Sequence, residues 1–393
     1  MRVVSVVCEY NPFHRGHALH LARAREASGA DYVILAMSGP VTQRGAFARH
    51  DKWTRARAAL VHGADLVLEL PVRFACASAQ EFAQGGVSLL ASLGVTTHLS
   101  FGCEAEALPA LEAAARALGE ETPAFAAALR DGLARGLSYP RARAEAAMQA
   151  HGLPAQVLSL PNAALALEYL RALPETIQAV PIAREGSGYH DPAFSPLASA
   201  TAVRAALVRG EREAALSALP EPGLFADAEA RGDVHEEEAL AQALLYRLRA
   251  MPEEALSQIA GMDEGLHHRF KASAQRATSR QALIAAVKSK RYTWARLSRL
   301  CSCVLLDVTR ELTGEHPKPA YARILGFRRD AAPLLHEIKK NTALPLIAKA
   351  ADFDRAHPLF ALDLRAQDLW SLGCASRELR AAGRDFVTAP VIV

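Results

Sequence analysis

No stretch of about eighteen uninterrupted apolar residues occurs in the chain, so a membrane-crossing helix is not expected. Cysteine is sparse. The six residues Cys8, Cys76, Cys103, Cys301, Cys303 and Cys374 are scattered, and the single Cys301-x-Cys303 pair has no second Cys or His pair at zinc-ligand spacing. Buried reduced thiols are the expectation. Aromatic residues make up only 6% of the chain. Charge of one sign is also lacking. A formal net charge of +3 is too mild to imply a nucleic-acid partner by itself, so local clustering has to decide that question. The opening Met1-Arg2-Val3 soon meets Glu9 and His14, which reads as a buried strand running into a polar loop and not as a signal peptide. A cytoplasmic protein is the expectation.

What is present is a long, half-apolar chain. Its 393 residues, 51% of them hydrophobic, are enough for sizeable cores and point to two domains. Val3 to Val7 is a β-branched run of the kind buried on both faces of a parallel sheet. A helical pattern follows from His17 to about Ala27 and ends at Ser28-Gly29. Strands are then predicted at Tyr32–Met37, Leu66–Leu70, Thr96–Phe101 and Ile177–Ile182, with helices at Lys52–His62, Ala79–Leu93 and Thr201–Val208 between and after them. Alternation of this kind predicts an α/β fold with a Rossmann-like parallel sheet. Residues 105–150, rich in Ala, Arg and Glu, look like a helical insertion. Beyond about Glu211 strand signals thin out, and helices are expected at Glu236–Ala250, Ser279–Ser289, Thr293–Leu312 and Ala331–Lys340. A catalytic domain over residues 1–215 followed by a mainly α-helical domain over 216–393 is the resulting expectation.

His14-x-Gly16-His17 stands between the first strand and the first helix. Ligands of open parallel sheets bind beyond the carboxyl ends of the strands. A helix start there offers N–H groups and a positive dipole end to phosphates. The dipole contributes only about 0.3–1 kcal/mol, so fixed donors are needed to do more. Imidazoles three residues apart share one face of a first turn and can both aim N–H groups at phosphates, where donors matched to developing charge are the main catalytic device. Gly16 permits close approach. Two other readings remain open at this point: the histidines could simply cap a tight turn, or His14, His17 and His20 could bind a metal. The motif resembles the H-x-G-H signature of the nucleotidylyltransferase superfamily. Ser199-Ala200-Thr201-Ala202-Val203-Arg204 resembles that superfamily's second phosphate motif, with Ala200 where Ser is common.

Further segments carry a narrower resemblance. They are Glu9-Tyr10-Asn11-Pro12-Phe13-His14, Gln43-Arg44-Gly45, Gly63-Ala64-Asp65-Leu66-Val67-Leu68-Glu69-Leu70-Pro71, Phe101-Gly102-Cys103-Glu104, Pro161-Asn162, Glu168-Tyr169, Gly188-Tyr189-His190-Asp191, Lys290-Arg291-Tyr292-Thr293, Arg296-Leu297-Ser298-Arg299 and Leu325-Gly326-Phe327. Together, in order and over nearly the full length, they resemble the bacterial tRNA(Met) cytidine acetate ligase family. The resemblance implies a Rossmann-like nucleotidyltransferase domain and a two-step reaction. ATP and acetate would give acetyl-adenylate and pyrophosphate, and the acetyl group would pass to N4 of the wobble cytidine of elongator tRNA(Met). It also implies an ATP site over Val7-Cys8-Glu9-Tyr10-Asn11-Pro12-Phe13-His14-Arg15-Gly16-His17-Ala18-Leu19-His20 together with Gly102, Asn162 and Arg184. Cys103 stands where Ser is usual.

His14 and His17 are the expected catalytic pair. Ser199, Thr201, Arg184 and Arg204 are candidates for phosphate contacts, since guanidinium forks suit phosphate oxygens. A Mg²⁺ ion carried on the phosphates is expected, with no protein-built metal site. Lys288, Lys290, Arg291, Arg296 and Arg299 interleave with Tyr292 and Trp294, a composition suited to RNA backbone and base stacking. Lys290, Arg291, Arg296 and Arg299 are therefore the candidate tRNA contacts. Arg328-Arg329 and Lys339-Lys340 add positive charge. The competing readings are a small-molecule adenylyltransferase and an RNA-binding protein on a nucleotide-sensing fold. Oligomeric state is left open.

Overall fold

The computed structural model describes residues 1–103, 108–118, 122–152, 161–183 and 198–393. Five parallel strands form its N-terminal half: β1 (Val3–Cys8), β2 (Tyr32–Ser38), β3 (Leu66–Leu70), β4 (His98–Cys103) and β5 (Gln178–Ala183), in the order β5-β4-β1-β2-β3. Helices α1 (Arg15–Ser28), α2 (Lys52–Val61), α3 (Ala79–Ala91), α4 (Leu108–Ala117), α5 (Pro123–Ala134), α6 (Tyr139–His151), α7 (Pro161–Ala172) and α8 (Ala200–Arg209) connect and cover them. The expected helical insertion is α4 to α6. Chain direction around β1 sets the site, because β2 lies on one side of it and β4 on the other. That reversal of winding opens a crevice at the carboxyl ends of β1 and β4.

The β-branched runs are strands because both faces are buried. Val3 and Val7 of β1 join Ile34 and Ala36 of β2 in one core, whereas Val4, Val6 and Cys8 join Val33, Leu35 and Met37 in the core on the opposite face. This is the period of two that pleating imposes. Gly29 closes α1 in the left-handed region at φ 58°, as Ser28-Gly29 indicates.

The second half is mainly helical: α9 (Pro222–Arg231), α10 (Ala241–Ala250), α11 (Leu266–Ala274), α12 (Arg280–Val287), α13 (Trp294–Leu306), α14 (Ala332–Asn341) and α15 (Pro358–Leu372). Helices α10 to α13 and α15 share a third core. The predicted helix from Thr293 to Leu312 stops at Leu306, where Asp307 takes a left-handed φ of 57°. This half also returns to the sheet. Strand β6 (Ala322–Phe327) pairs antiparallel with β3, and β7 (Leu346–Ile347) and β8 (Val391–Ile392) pair with β6. Two of these strands hold two residues each, too short to show a period. The third carries Arg323 in a buried position that an apolar pattern does not anticipate. Arg323 is neutralised by Glu69 of β3 at 3.1 Å and Asp385 at 2.7 Å, and both acids also meet the buried Lys52 ammonium at 2.8 Å.

Candidate functional site

The sequence between β1 and α1 forms a tight, almost wholly buried turn. Tyr10, Asn11 and Phe13 are buried, and Tyr10 takes a left-handed φ of 50°. Val7 and Cys8 end β1 with their side chains in opposite cores. Burial pushes the Cys8 thiol well above its ordinary range, so it is no nucleophile at neutral pH. Four residues from three segments hold the turn. Gln43 donates its backbone N–H to the Glu9 carboxylate, and Arg55 donates to the Glu9 carbonyl at 2.7 Å. Arg49 donates its backbone N–H to Asn11 Oδ1 at 3.0 Å, and Arg204 donates to the Asn11 carbonyl.

His14 is the N-cap of α1, and the two rings cap the helix reciprocally. The Gly16 N–H donates to His14 Nδ1 at 3.1 Å, and the His14 N–H donates to His17 Nδ1 at 3.2 Å. The rings stack with centroids 3.6 Å apart, and Tyr10 supports His17 from 4.6 Å. Because each Nδ1 accepts a backbone N–H, Nε2 is the nitrogen that carries the ring proton. Accepting at one nitrogen also polarises the opposite N–H and strengthens it as a donor.

The first-turn N–H groups, expected to be free for phosphate, already have acceptors. Arg15 N–H donates to Ala218, and the N–H groups of His17 and Ala18 donate to the His14 carbonyl, so the first turn is already satisfied.

The two sequence motifs meet in space. Ser199 caps α8 by accepting the Ala202 N–H at 3.2 Å, and Arg204 Nη2 donates to Thr201 at 3.3 Å while its Nη1 reaches Asn11. His20 bonds to Ser100 of β4 at 3.1 Å, which ties α1 across the crevice. Gly102 and Cys103 end β4 and pair with Ile182 and Ala183 of β5. Arg15 is exposed at the start of α1, and Ala18 and Leu19 are half-buried along it. Pro12 is buried in the turn. Asn162 stands at the N-terminus of α7, and its side chain lies outside the described residues, as do Glu104, Arg184 and Gly188-Tyr189-His190-Asp191.

The basic segment divides in two. Lys288 and Lys290 are exposed. Arg291 pairs with Glu264, and Tyr292 donates to the same carboxylate at 3.1 Å. Arg296 lies 3.7 Å from Asp263 and 5.2 Å over the Tyr292 ring. Trp294 is exposed. Arg299 turns toward the N-terminal half and donates to the Gln43 carbonyl at 3.3 Å. There Gly45 presses on α13: its φ is +75°, and a Cβ would stand 2.4 Å from the Arg299 backbone. Its carbonyl accepts from Ser302 at 2.7 Å and from Arg280 at 2.9 Å. The Gln43-Arg44-Gly45 loop thus links the helical half to Glu9. Arg49, Arg55 and this linkage were not visible in the sequence, where the signal was one arginine just before α2 and one in its first turn.

A family model described as HIGH Nucleotidyl Transferase matches residues 1–385. Curated relatives include a tRNA(Met) cytidine acetate ligase of Geobacillus sp. (strain WCH70), 37% identical with 93% of each chain covered. Another of the same name from Clostridium perfringens (strain SM101 / Type A) is 34% identical with 100% of each covered. Among solved structures, Thermotoga maritima TmcAL bound with alpha-thio ATP matches with a TM-score of 0.92 and 32% identity over 100% of both chains.

Proposed function

Because the chain belongs to the HIGH nucleotidyl transferase family, and within it to the tRNA(Met) cytidine acetate ligases, we propose that it joins acetate to ATP and transfers the acetyl group to N4 of the wobble cytidine of elongator tRNA(Met). An acetate oxygen attacks the α-phosphorus, and the bond to the β-phosphate oxygen breaks. The products are acetyl-adenylate and pyrophosphate. The cytidine amine then attacks the acetyl carbonyl, loses a proton and displaces AMP.

The observation that best supports this reading is the stacked pair His14 and His17, 3.6 Å apart at the crevice, each with Nδ1 committed to the backbone. Two Nε2–H donors with their tautomer fixed by the caps would suit charge that grows on the phosphates during displacement. Arg204 joins the same turn from α8. In this reading the segment Val7 to His20, with Gly102, Asn162, Arg184, Ser199 and Thr201, surrounds ATP. Magnesium is part of the proposal. Among the described residues no three His, Cys, Asp or Glu side chains converge, and the Glu9 carboxylate is engaged by Gln43, so phosphate oxygens and water would hold such an ion.

The helical half, residues 216–393, is assigned to tRNA, with Lys290, Arg291, Arg296 and Arg299 as contacts. Arg299 also touches the loop that reaches Glu9. No described helix is long and apolar enough to cross a membrane, and the reading places the enzyme in the cytoplasm with its tRNA. The test is incubation with ATP and acetate, with and without tRNA, while pyrophosphate and N4-acetylcytidine are measured. Acetate-dependent pyrophosphate release and tRNA acetylation are expected, both greatly slowed by His14→Ala or His17→Ala. Pyrophosphate release driven by another small molecule, with no acetylation, would replace this reading with a small-molecule adenylyltransferase.

A further inference from the structure

Arg55, in the second half of the first turn of α2, is fully buried. Its guanidinium donates to five backbone carbonyls. Nη1 reaches Glu9 at 2.7 Å and Ser38 at 2.9 Å, Nη2 reaches Gly39 at 2.6 Å, and Nε reaches His50 at 3.1 Å and Asp51 at 3.3 Å. Each acceptor is a carbonyl and none a carboxylate. Loss of hydration pushes its pKa down to about 10, which still leaves it charged at neutral pH. Burying a cation without a hydrogen-bonded anion is among the most costly arrangements in a protein interior. The retained charge therefore calls for an account beyond packing.

The five carbonyls share a location. Glu9 follows β1, Ser38 and Gly39 end β2, and His50 and Asp51 lead into α2, all at the carboxyl edge where the crevice opens. Only the planar fork of Arg can span turns from both strands at once. We propose that Arg55 is a positioning residue for adenylate formation: it holds the β1 and β2 turns in the shape that presents His14 and His17, and its buried charge favours a polyanion at that edge. This inference rests on the reading of the crevice as an ATP site.

Two substitutions separate the fork from the charge. Arg55→Lys keeps the charge as a point and loses the fork. Arg55→Gln keeps an amide donor and loses the charge. Thermal unfolding, ATP affinity by calorimetry and acetate-dependent pyrophosphate exchange are measured on each and normalised to folded protein. Arg55→Lys should retain ATP affinity and lose kcat on the order of a hundredfold, the effect of displacing reacting groups by about 1 Å. Arg55→Gln should lose kcat as well, and ATP affinity by about tenfold, the equivalent of one distant charge contact. Wild-type kcat and affinity per folded molecule in both variants would overturn the proposal. So would loss of the fold in both, since that marks a purely structural side chain. If the unmodified protein binds ATP without acetate-dependent exchange, the ligase reading fails on its own, and the affinity of Arg55→Gln still judges Arg55.

Discussion

Replacing Gly16 with Ala should uncouple the activity of the α1 start from its stability. An added Cβ would stand 3.0 Å from His14 Cε1 and 3.1 Å from Nδ1, close enough that the ring must yield by a few tenths of an ångström. It has little room to yield. His17 is stacked on one face at 3.6 Å, and the Gly16 N–H holds Nδ1 at 3.1 Å. The ring must tilt, and Nε2 moves with it. For folding, Ala in place of a helical Gly gains about 0.5–1 kcal/mol. A loosened N–H···N bond costs about 0.5–1.5 kcal/mol. The two nearly cancel, so urea unfolding should shift by less than about 1 kcal/mol. For catalysis, misplacing a preorganised donor by up to about 1 Å costs roughly 10- to 100-fold in rate, or about 1.4–2.7 kcal/mol of barrier. Pyrophosphate exchange and tRNA acetylation are measured beside urea unfolding on the same preparation. A Gly16→Ala protein with the wild-type rate would refute the claim that the His14 ring position matters. A rate loss that only follows lost stability would refute it equally.

Three more outcomes follow from other contacts. Burial opposes ionisation of Glu229, but bonds from His50 at 3.1 Å and Arg49 at 2.6 Å outweigh it and hold the carboxyl down to about 2. A depressed carboxyl stabilises the fold above its ordinary 4.5 and loses that contribution as pH falls toward 2. Glu229→Gln should therefore flatten the acid limb of stability against pH by on the order of 3 kcal/mol, and parallel profiles would sink the assignment. Gly45→Ala puts a side chain at φ +75° with its Cβ 2.4 Å from the Arg299 backbone. Urea unfolding should show a loss of at least about 2 kcal/mol, and a near-neutral result would mean the loop is not clamped to α13. Lys288→Ala with Lys290→Ala should lower the salt slope of tRNA binding by about 2 and leave ATP affinity unchanged. An unchanged slope would remove these lysines from the RNA surface.

Local pattern made the first five strands legible, because period-two burial on both faces leaves long β-branched runs such as Val3–Val7. Leu66–Leu70 falls on its predicted bounds, and Gly29 ends α1 as its position indicates. Non-local contacts were not legible. Strand β6 is stabilised through Arg323 meeting Glu69 and Asp385, partners 254 and 62 residues away, and no window along the chain contains them together. The anchors of the Glu9 turn are hidden for the same reason: Gln43 and Arg49 come from the loop after β2, Arg55 from α2 and Arg204 from α8.

The histidines show a subtler limit. Read as letters, His14-x-x-His17 admits either a capping pair or a pair of phosphate donors, and the two uses look like rivals. In three dimensions one requires the other. An i, i+3 spacing lets His17 reach back to the His14 N–H while His14 reaches forward to the Gly16 N–H. Committing both Nδ1 atoms to the backbone fixes the tautomer that makes each Nε2 a donor. It also restrains two rings that would otherwise sample several rotamers, so donor geometry is set before any ligand arrives. In the proposed reading, capping is the device that orients the donors. If the proposed roles hold, any substitution that preserves an imidazole but breaks a cap should cost rate without removing a donor, and Gly16→Ala is that test.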